Sequence, residues 1–135
     1  MKVPDTPIIL MADDDDDDCL LARDAFNQSG NNVIFQCVED GIKLLEHLAN
    51  AHSLPALILL DLNMPRKDGH QALKDMKAIP RLRDIPVVVF TTSREENDIA
   101  FSREIGANSF VTKPTLFDDW KKIMRSLADE WLNPL

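Results

Sequence analysis

The sequence predicts an α/β fold in which a five-stranded parallel sheet alternates with five helices. Short apolar runs recur along the chain, and Gly, Pro, Asp or Asn bound them, as is typical of strands buried in a sheet. Amphipathic segments of helical period separate these runs. Because parallel strands are joined by right-handed helical crossovers, this alternation favours a sheet covered by helices on both faces.

The first strand and helix are predicted on either side of an aspartate run, Asp13–Asp18. The apolar segment Pro7–Ala12 leads into this run and predicts a buried strand. A helix should follow it to about Gln28. Negative charge at a helix N-terminus is favourable by about 0.3–1 kcal/mol per group. Asp15–Asp18 are therefore interpreted as a solvated charged turn that precedes and opens this helix.

Two further strands are predicted in the middle of the chain. Val33–Val38 is rich in β-branched and aromatic residues, which favour strands. The pair Asp40-Gly41 turns the chain into an amphipathic helix, and a third strand is predicted over Ala56–Asp61. Residues 57–60 are apolar at every position, as in a strand buried on both faces, so Asp61 is expected at the carboxyl end of a central strand.

Caps and prolines predict the next elements. Asp68 is the expected N-cap of a helix that Pro80 ends. A fourth strand is predicted over Val87–Phe90. Ser93 and Glu96 have the spacing of a capping box, which predicts a helix that starts there and runs to about residue 105.

The last strand and helix are predicted from Ser109 onwards. Ser109–Thr112 reads as a fifth strand, and an apolar stripe at helical spacing follows it from Leu116 to Trp131. Trp131, Leu132 and Leu135 extend past what a five-stranded domain needs to cover. This excess is interpreted either as core or as a surface for self-association or kinase contact.

Composition narrows the range of functions. A chain of 135 residues is long enough for one domain with a core, and its formal net charge of −8 argues against a nucleic-acid binder, which needs a basic face. Neither a membrane-length apolar run nor a signal-peptide pattern occurs, so we expect a cytoplasmic protein without membrane attachment. Cys19 and Cys37 are interpreted as small buried apolar residues, and a disulfide is not expected in that compartment.

Polar side chains follow four of the predicted strands. Asp13 and Asp14 follow the first strand, Asp61 the third, Thr91 the fourth and Lys113 the fifth. Because the carboxyl ends of parallel strands lie along one edge of a sheet, these groups should surround one crevice. Three carboxylates held close together require a raised pKa or a bound cation. Mg²⁺ prefers such oxygen ligands, and it would leave Asp61 placed as a nucleophile toward a phosphoryl group.

Other interpretations of the aspartate run remain open. All six aspartates could form a charged turn exposed to solvent. Alternating Asp13, Asp15 and Asp17 would also suit a calcium-binding loop. Such a loop, however, needs Gly where Asp18 stands and Glu where Asp24 stands.

Four segments carry the residues of the predicted crevice, namely LMADD, LILLDLNMPRKDG, VVVFTTS and SFVTKP. Thr91 lies 30 residues and Lys113 lies 52 residues after Asp61. Together the segments and spacings resemble the receiver domain of two-component response regulators over nearly the whole chain. The resemblance implies a flavodoxin-like sheet of strand order 2-1-3-4-5, and a single receiver domain over residues 1–135 with no output domain.

The resemblance implies how phosphorylation would occur. Asp61 would accept a phosphoryl group from the phosphohistidine of a sensor histidine kinase. Asp14 would bind Mg²⁺ directly, Asp13 would act largely through a bound water, and Asn63 would offer its backbone carbonyl to the metal. The protein would then be a signalling phosphoprotein that catalyses only its own phosphoryl transfer and slow dephosphorylation.

The resemblance also implies a switch. Lys113 would pair with the phosphoryl group, Thr91 would swing toward it, and Phe110 would turn inward with that motion. The Lys113-Pro114 step would be cis, as the family holds it.

Finer details of the sequence imply which partners the protein has. The acidic run, the PRKDG loop and the TTS segment resemble small regulators paired with bacterial phytochromes. Without an output domain, the signal would pass by partner binding, by homodimerisation or by onward phosphotransfer.

A second hypothesis is a small phosphatase of the haloacid-dehalogenase type. In that class the nucleophile ends the first strand in a D-x-D pattern, which Asp13 to Asp15 satisfy. Asp13 would then be the nucleophile. No second acidic pair follows late in the chain to hold magnesium, however, and this hypothesis leaves Asp61 without a role.

Overall fold

The computed structural model describes residues 6–30 and 32–132, and the ten predicted strands and helices lie within these ranges. The strands are β1 (Ile8–Ala12), β2 (Ile34–Val38), β3 (Leu57–Leu60), β4 (Val87–Thr91) and β5 (Ser109–Thr112). The helices are α1 (Asp16–Gln28), α2 (Gly41–Asn50), α3 (Gly69–Lys77), α4 (Glu96–Glu104) and α5 (Phe117–Trp131).

The five strands form one parallel sheet in the order β2-β1-β3-β4-β5. This confirms the predicted fold and strand order. All four residues of the central strand β3 are buried, as its uninterrupted apolar sequence predicts. Ala12 pairs with Leu60 in the β1–β3 register, so the chain leaves both strands at the same level of the sheet. Asp13 and Asp61 are consequently neighbours.

The core is divided by the sheet into two apolar clusters. Helices α1 and α5 pack on one face, where the Phe90 and Trp120 rings meet edge to face with centroids 5.1 Å apart. Helices α2 and α3 pack on the other face, where Leu44 and Leu73 are fully buried. Burying each such side chain contributes about 1.5–3 kcal/mol, so the sheet is fixed from both sides and its carboxyl edge is a rigid platform.

The end of α5 belongs with the core as far as the structure describes it. Trp131 and Leu132 are half-buried and pack against the cluster that α1 and α5 cover. Leu135, which was predicted to share their role, lies outside the described residues. Across the described ranges, no helix combines the length and the apolar character needed to cross a membrane.

The predicted start of α4 is wrong. The N-cap is Glu95 and not Ser93, and the helix begins at Glu96. Ser93 therefore lies too far before the first turn to cap it. Its hydroxyl instead donates to the Asp98 carboxylate at 2.6 Å and accepts the backbone N–H of Glu95 at 3.3 Å.

The expectation for the cysteines is also wrong. Cys19 and Cys37 form a disulfide, with Cα atoms 6.5 Å apart, and Cys37 is exposed while Cys19 is buried. The β1–β2 register pairs Cys37 with Met11, whose side chain lies in the cluster that α1 covers. Cys37 therefore faces the helix that carries Cys19. Because β2 lies at the edge of the sheet, no strand covers its outer side, and Cys37 is exposed to solvent.

Candidate functional site

Three carboxylates converge where β1 and β3 end. One carboxylate oxygen from each of Asp13, Asp14 and Asp61 lies within 4.8 Å of the other two. Asp13 and Asp61 directly follow neighbouring strands and are 3% and 6% exposed, whereas Asp14 is exposed to solvent. The sheet edge therefore brings together the acidic residues that the sequence assigned to one crevice.

Lys113 lies among these carboxylates. It follows β5, and its Nζ lies 2.6 Å from Asp13 Oδ2 and 3.2 Å from Asp61 Oδ2. Its backbone N–H donates to the Thr91 carbonyl at 2.8 Å, which ties the end of β5 to the end of β4. The lysine is thus held as a buried point charge beside Asp61.

Burial disfavours the charged forms of the ionisable side chains in this site. Burial raises the pKa of Asp13 from 3.8 to about 6, although the hydrogen bond and charge of Lys113 partly offset the rise and the charge of Asp61 adds to it. Burial alone would lower the pKa of Lys113, but the hydrogen bonds that its ammonium donates to Asp13 and Asp18, together with the charges of Asp13 and Asp61, outweigh burial and raise that pKa. Lys113 therefore stays positively charged, and burial makes ionisation of Asp13 unfavourable.

Asp18 is a site residue that the sequence interpretation missed. Its Oδ2 lies 2.7 Å from Lys113 Nζ, so it is not merely part of a solvated turn. It occupies the third position of α1, whose N-cap is Asp15, and side chains in a first turn point back toward the helix N-terminus. That helix begins just beyond the sheet edge. The sequence feature that could have identified Asp18 as a site residue is therefore its position three residues after the N-cap, and not its residue type.

The loop after Asp61 fixes the orientation of its carboxylate. The backbone N–H of Asn63 donates to Asp61 Oδ1 at 3.3 Å, which leaves Oδ2 facing Lys113. Gly69 closes this loop, because its N–H donates to the Leu62 carbonyl at 3.0 Å. A Cβ atom at Gly69 would overlap the main-chain carbonyl oxygen of Asp61, so the close return of the chain requires glycine.

Thr91 and Phe110 lie on β4 and β5, the two strands beyond β3 on one side of the sheet. Thr91 ends β4 and is fully buried, and its hydroxyl oxygen has no hydrogen-bond partner among the described residues. Phe110 pairs in register with Val89, is half-buried and belongs to neither apolar cluster. A buried hydroxyl without a partner is unfavourable by about 1–3 kcal/mol, so the Thr91 hydroxyl retains an unused capacity to donate a hydrogen bond.

The expectation of a cis Lys113-Pro114 step is wrong in this structure. Within residues 6–30 and 32–132 every peptide bond is trans. The trans form of an X–Pro bond is favoured by about 0.5–1 kcal/mol unless tertiary contacts oppose it. Here the Trp120 indole N–H donates to the Pro114 carbonyl at 3.0 Å with the bond trans.

The donor set suits a hard divalent cation. The three clustered carboxylates offer only oxygen ligands. The single positive charge of Lys113 is too small to neutralise these three carboxylates and that of Asp18. Beside them opens a cavity of about 480 Å³ whose lining includes Asp14, Asn63 and Asp98. Mg²⁺ takes one or two carboxylates and keeps several waters, so a site that is half buried and half open fits it.

Comparisons with known proteins agree with this geometry. Residues 9–125 match the response regulator receiver domain family. The probable methanogenesis regulatory protein FilR2 of Methanothrix harundinacea (strain 6Ac) is 35% identical over 136 residues, which cover 98% of this chain and 88% of that protein.

Two solved structures extend the comparison to the fold. The phosphorylated cyanobacterial phytochrome response regulator RcpA superposes with a TM-score of 0.89 at 34% identity, covering 97% of both chains. The Mn²⁺-bound form of response regulator Rcp1 superposes with a TM-score of 0.85 at 33% identity, covering 96% of both. The family match includes every residue of the crevice and favours the receiver hypothesis over the phosphatase one. The chain therefore belongs to the receiver-domain family of two-component response regulators.

Proposed function

We propose that this protein is a response regulator that accepts a phosphoryl group on Asp61. The observation that carries the proposal is the position of the Asp61 carboxylate. It is 6% exposed, it lies 3.2 Å from the Lys113 ammonium, and it shares a crevice with two further carboxylates. A carboxylate placed beside a fixed positive charge at an open sheet edge is suited to attack a phosphorus atom.

The chemistry follows from the groups around Asp61. A carboxylate oxygen of Asp61 attacks the phosphorus of a phosphohistidine, an O–P bond forms, and the P–N bond to the histidine breaks. Lys113 pairs with the phosphoryl oxygens. Mg²⁺ would be held by Asp13, Asp14, Asp61 and the backbone carbonyl of Asn63, and when bound it supplies positive charge that offsets the charge of the transferred group.

The switch is proposed for Thr91 and Phe110. The Thr91 hydroxyl lacks a partner among the described residues, so a phosphoryl oxygen beside Asp61 would give it one. Movement of Thr91 would open space behind it, toward which the half-buried Phe110 ring turns. The changed surface includes α4 and the start of α5, where Phe101 and Leu116 are 42% and 65% exposed. This surface would bind a partner or a second copy of the chain.

The kinase is proposed to be a sensor histidine kinase of the bacterial phytochrome class. Support comes from RcpA, described as a phytochrome response regulator, which matches this chain over nearly its full length. Transfer from such a kinase would occur in the cytoplasm. Purified phytochrome kinase should label this protein faster than a sensor kinase without a phytochrome module does, and equal rates would remove the phytochrome assignment.

The phosphoacceptor is tested by intact-mass spectrometry after incubation with acetyl phosphate and Mg²⁺. We expect wild type to gain one phosphoryl group, and Asp61→Asn and chelator-treated samples to gain none. Asp68→Asn is the matched control, because Asp68 is an exposed carboxylate in the same loop and Asn retains its role as N-cap of α3.

The outcomes separate the hypotheses. An adduct that survives Asp61→Asn but not Asp13→Asn would support the phosphatase-like hypothesis instead. No adduct in wild type, from acetyl phosphate or from a kinase, would contradict a phosphoacceptor function. Size-exclusion chromatography of the same samples tests whether phosphorylation drives homodimerisation.

A further inference from the structure

The Cys19–Cys37 disulfide joins two elements beside the phosphoacceptor crevice. Cys19 lies in the first part of α1, and Cys37 lies near the carboxyl end of the edge strand β2. The two residues are 18 apart in sequence and their Cα atoms are 6.5 Å apart, a separation that suits a disulfide. The bridge therefore attaches the start of α1 to the edge of the sheet.

One of the two bridged residues is exposed to solvent. Cys19 is 7% exposed, but Cys37 is exposed. A cavity of about 290 Å³ is lined by both cysteines together with Asp13, Asp16 and Lys43. Exposed disulfides are the ones that exchange with external thiols, whereas structural disulfides are shielded. An incoming thiolate would reach Cys37 first and leave Cys19 as the departing sulfur.

The bridge is connected to the crevice through a single peptide bond. Asp18 directly precedes Cys19, and its carboxylate lies 2.7 Å from Lys113 Nζ. Asp18 is 21% exposed at its side chain, and no disulfide other than this one fixes the first turn of α1 within the described residues. A covalent anchor at residue 19 therefore restricts how far the Asp18 carboxylate can move away from Lys113.

We propose that Cys19–Cys37 is a reversible thiol–disulfide site that sets how strongly Asp18 holds Lys113. In the oxidised form, the bridge keeps Asp18 on the lysine, where it competes with an arriving phosphoryl group. In the reduced form, the first turn of α1 relaxes and Lys113 is freer to pair with that group. The effect on phosphorylation rests on the proposed function of Asp61, whereas the exchange itself does not.

The exchange is balanced by two equivalents of a small thiol such as glutathione. The first thiolate attacks Cys37 Sγ, a mixed disulfide forms, the Cys19–Cys37 bond breaks, and Cys19 leaves as a thiolate that takes up a proton. The second thiolate attacks the mixed disulfide, oxidised glutathione forms, and Cys37 is released as a thiol. The protein gains two electrons and two protons, and two glutathione molecules become one disulfide.

The first measurement is the redox state of the folded 135-residue chain in glutathione buffers. Free thiols are alkylated and counted by intact mass, which requires no phosphorylation. We expect the bridge to pass from closed to open across buffers up to about 10 mM reduced glutathione, with the circular dichroism of the fold unchanged. A bridge that stays closed throughout, or two thiols that never close under oxidised glutathione, would overturn the proposal.

The second measurement is the rate of acetyl phosphate labelling of the two forms. The restraint acts through one partly exposed ion pair, so we expect reduction to raise the rate by about two- to fivefold. Cys37→Ser should match the reduced form under all conditions. Asp18→Asn should label at one rate in both redox states, while Asp17→Asn, an exposed neighbour, should keep the wild-type difference.

Failure of the redox coupling and failure of the proposed phosphoacceptor function give different results. Equal labelling of the oxidised and reduced wild type would overturn the coupling while leaving Asp61 as the phosphoacceptor. Loss of the difference in Asp17→Asn as well as in Asp18→Asn would show that general charge, and not the Asp18–Lys113 contact, carries the effect. Absence of labelling in both redox states would contradict the proposed function itself, and the thiol count would still report the exchange.

Discussion

Replacing Asp13 with asparagine should stabilise the metal-free protein at neutral pH. The Asp13 side chain is buried with Asp61 nearby, and its ionised form is opposed by burial more than it is supported by Lys113. Asparagine has nearly the same shape and carries no charge. Lys113 retains Asp18 and Asp61 as partners after the change, so the substitution does not leave a buried ammonium alone.

The size of the effect follows from the pKa of Asp13. A rise from 3.8 in the unfolded chain to about 6 in the folded one corresponds to about 3 kcal/mol. The folded state holds this proton more tightly, so between those two pH values it binds more protons than the unfolded state. Wild-type stability therefore falls as pH rises from about 4 through about 6, and the Asn variant lacks this fall. We expect a gain near zero at pH 4 that grows to about 1–3 kcal/mol at pH 8.

The assay is urea denaturation followed by tryptophan fluorescence, without metal, at several pH values. Asp24→Asn is the control, since Asp24 is an exposed carboxylate on α1 and its loss should change stability by less than about 0.5 kcal/mol. Added Mg²⁺ should stabilise wild type more than Asp13→Asn and so reduce the gain. A gain equal at pH 4 and pH 8, or a loss at pH 8, would refute the argument from burial.

Three further predictions concern stability and are measured by the same denaturation. Thr91→Val should leave the unphosphorylated protein unchanged or more stable by up to about 1 kcal/mol, because it removes a buried hydroxyl that has no partner among the described residues; a clear loss would reveal an unrecognised partner. Gly69→Ala should destabilise by about 1–3 kcal/mol through overlap with the Asp61 carbonyl, and a neutral result would mean that the loop yields. Arg81→Ala should destabilise by about 1 kcal/mol, since its guanidinium donates to two carbonyls at the end of α2, whereas Arg83→Ala, an exposed neighbour, should not.

Local sequence patterns were sufficient for the strands and most helices. β3 could be placed because its four apolar residues run directly into Asp61, and that pattern has few alternatives in a domain of this size. Asp68 was predicted as an N-cap because Asp is a favoured residue there, and its side chain accepts the backbone N–H of Gln71 as such a cap does. Ser is also a favoured N-cap residue. The Ser93 hydroxyl instead donates to Asp98, and the position of Asp98 in space cannot be read from the local sequence.

Features that depend on the meeting of distant segments were not predictable in this way. Cys37 and Cys19 each fit an apolar pattern, and only the β1–β2 register shows that they face each other. Asp18 looked like its neighbours in the acidic run, yet the direction of a first-turn side chain brings it alone among Asp15–Asp18 onto Lys113.

The central property of the crevice is competition among several carboxylates for the ammonium group of Lys113. Lys113 Nζ lies within 3.2 Å of an oxygen from each of Asp13, Asp18 and Asp61, and one ammonium has only three protons to donate. Phosphorylation converts the Asp61 carboxylate into an acyl phosphate whose phosphoryl oxygens carry negative charge to the same lysine, where Asp13 and Asp18 compete with them. Asp13 could instead bind a divalent cation together with Asp14. Asp18 does not belong to the three carboxylates that could hold such a cation. Metal binding should therefore free Lys113 from Asp13 but not from Asp18. It follows that Asp18→Asn should raise the labelling rate at saturating Mg²⁺, and an unchanged rate there would mean that Asp18 leaves the lysine without opposing phosphoryl transfer.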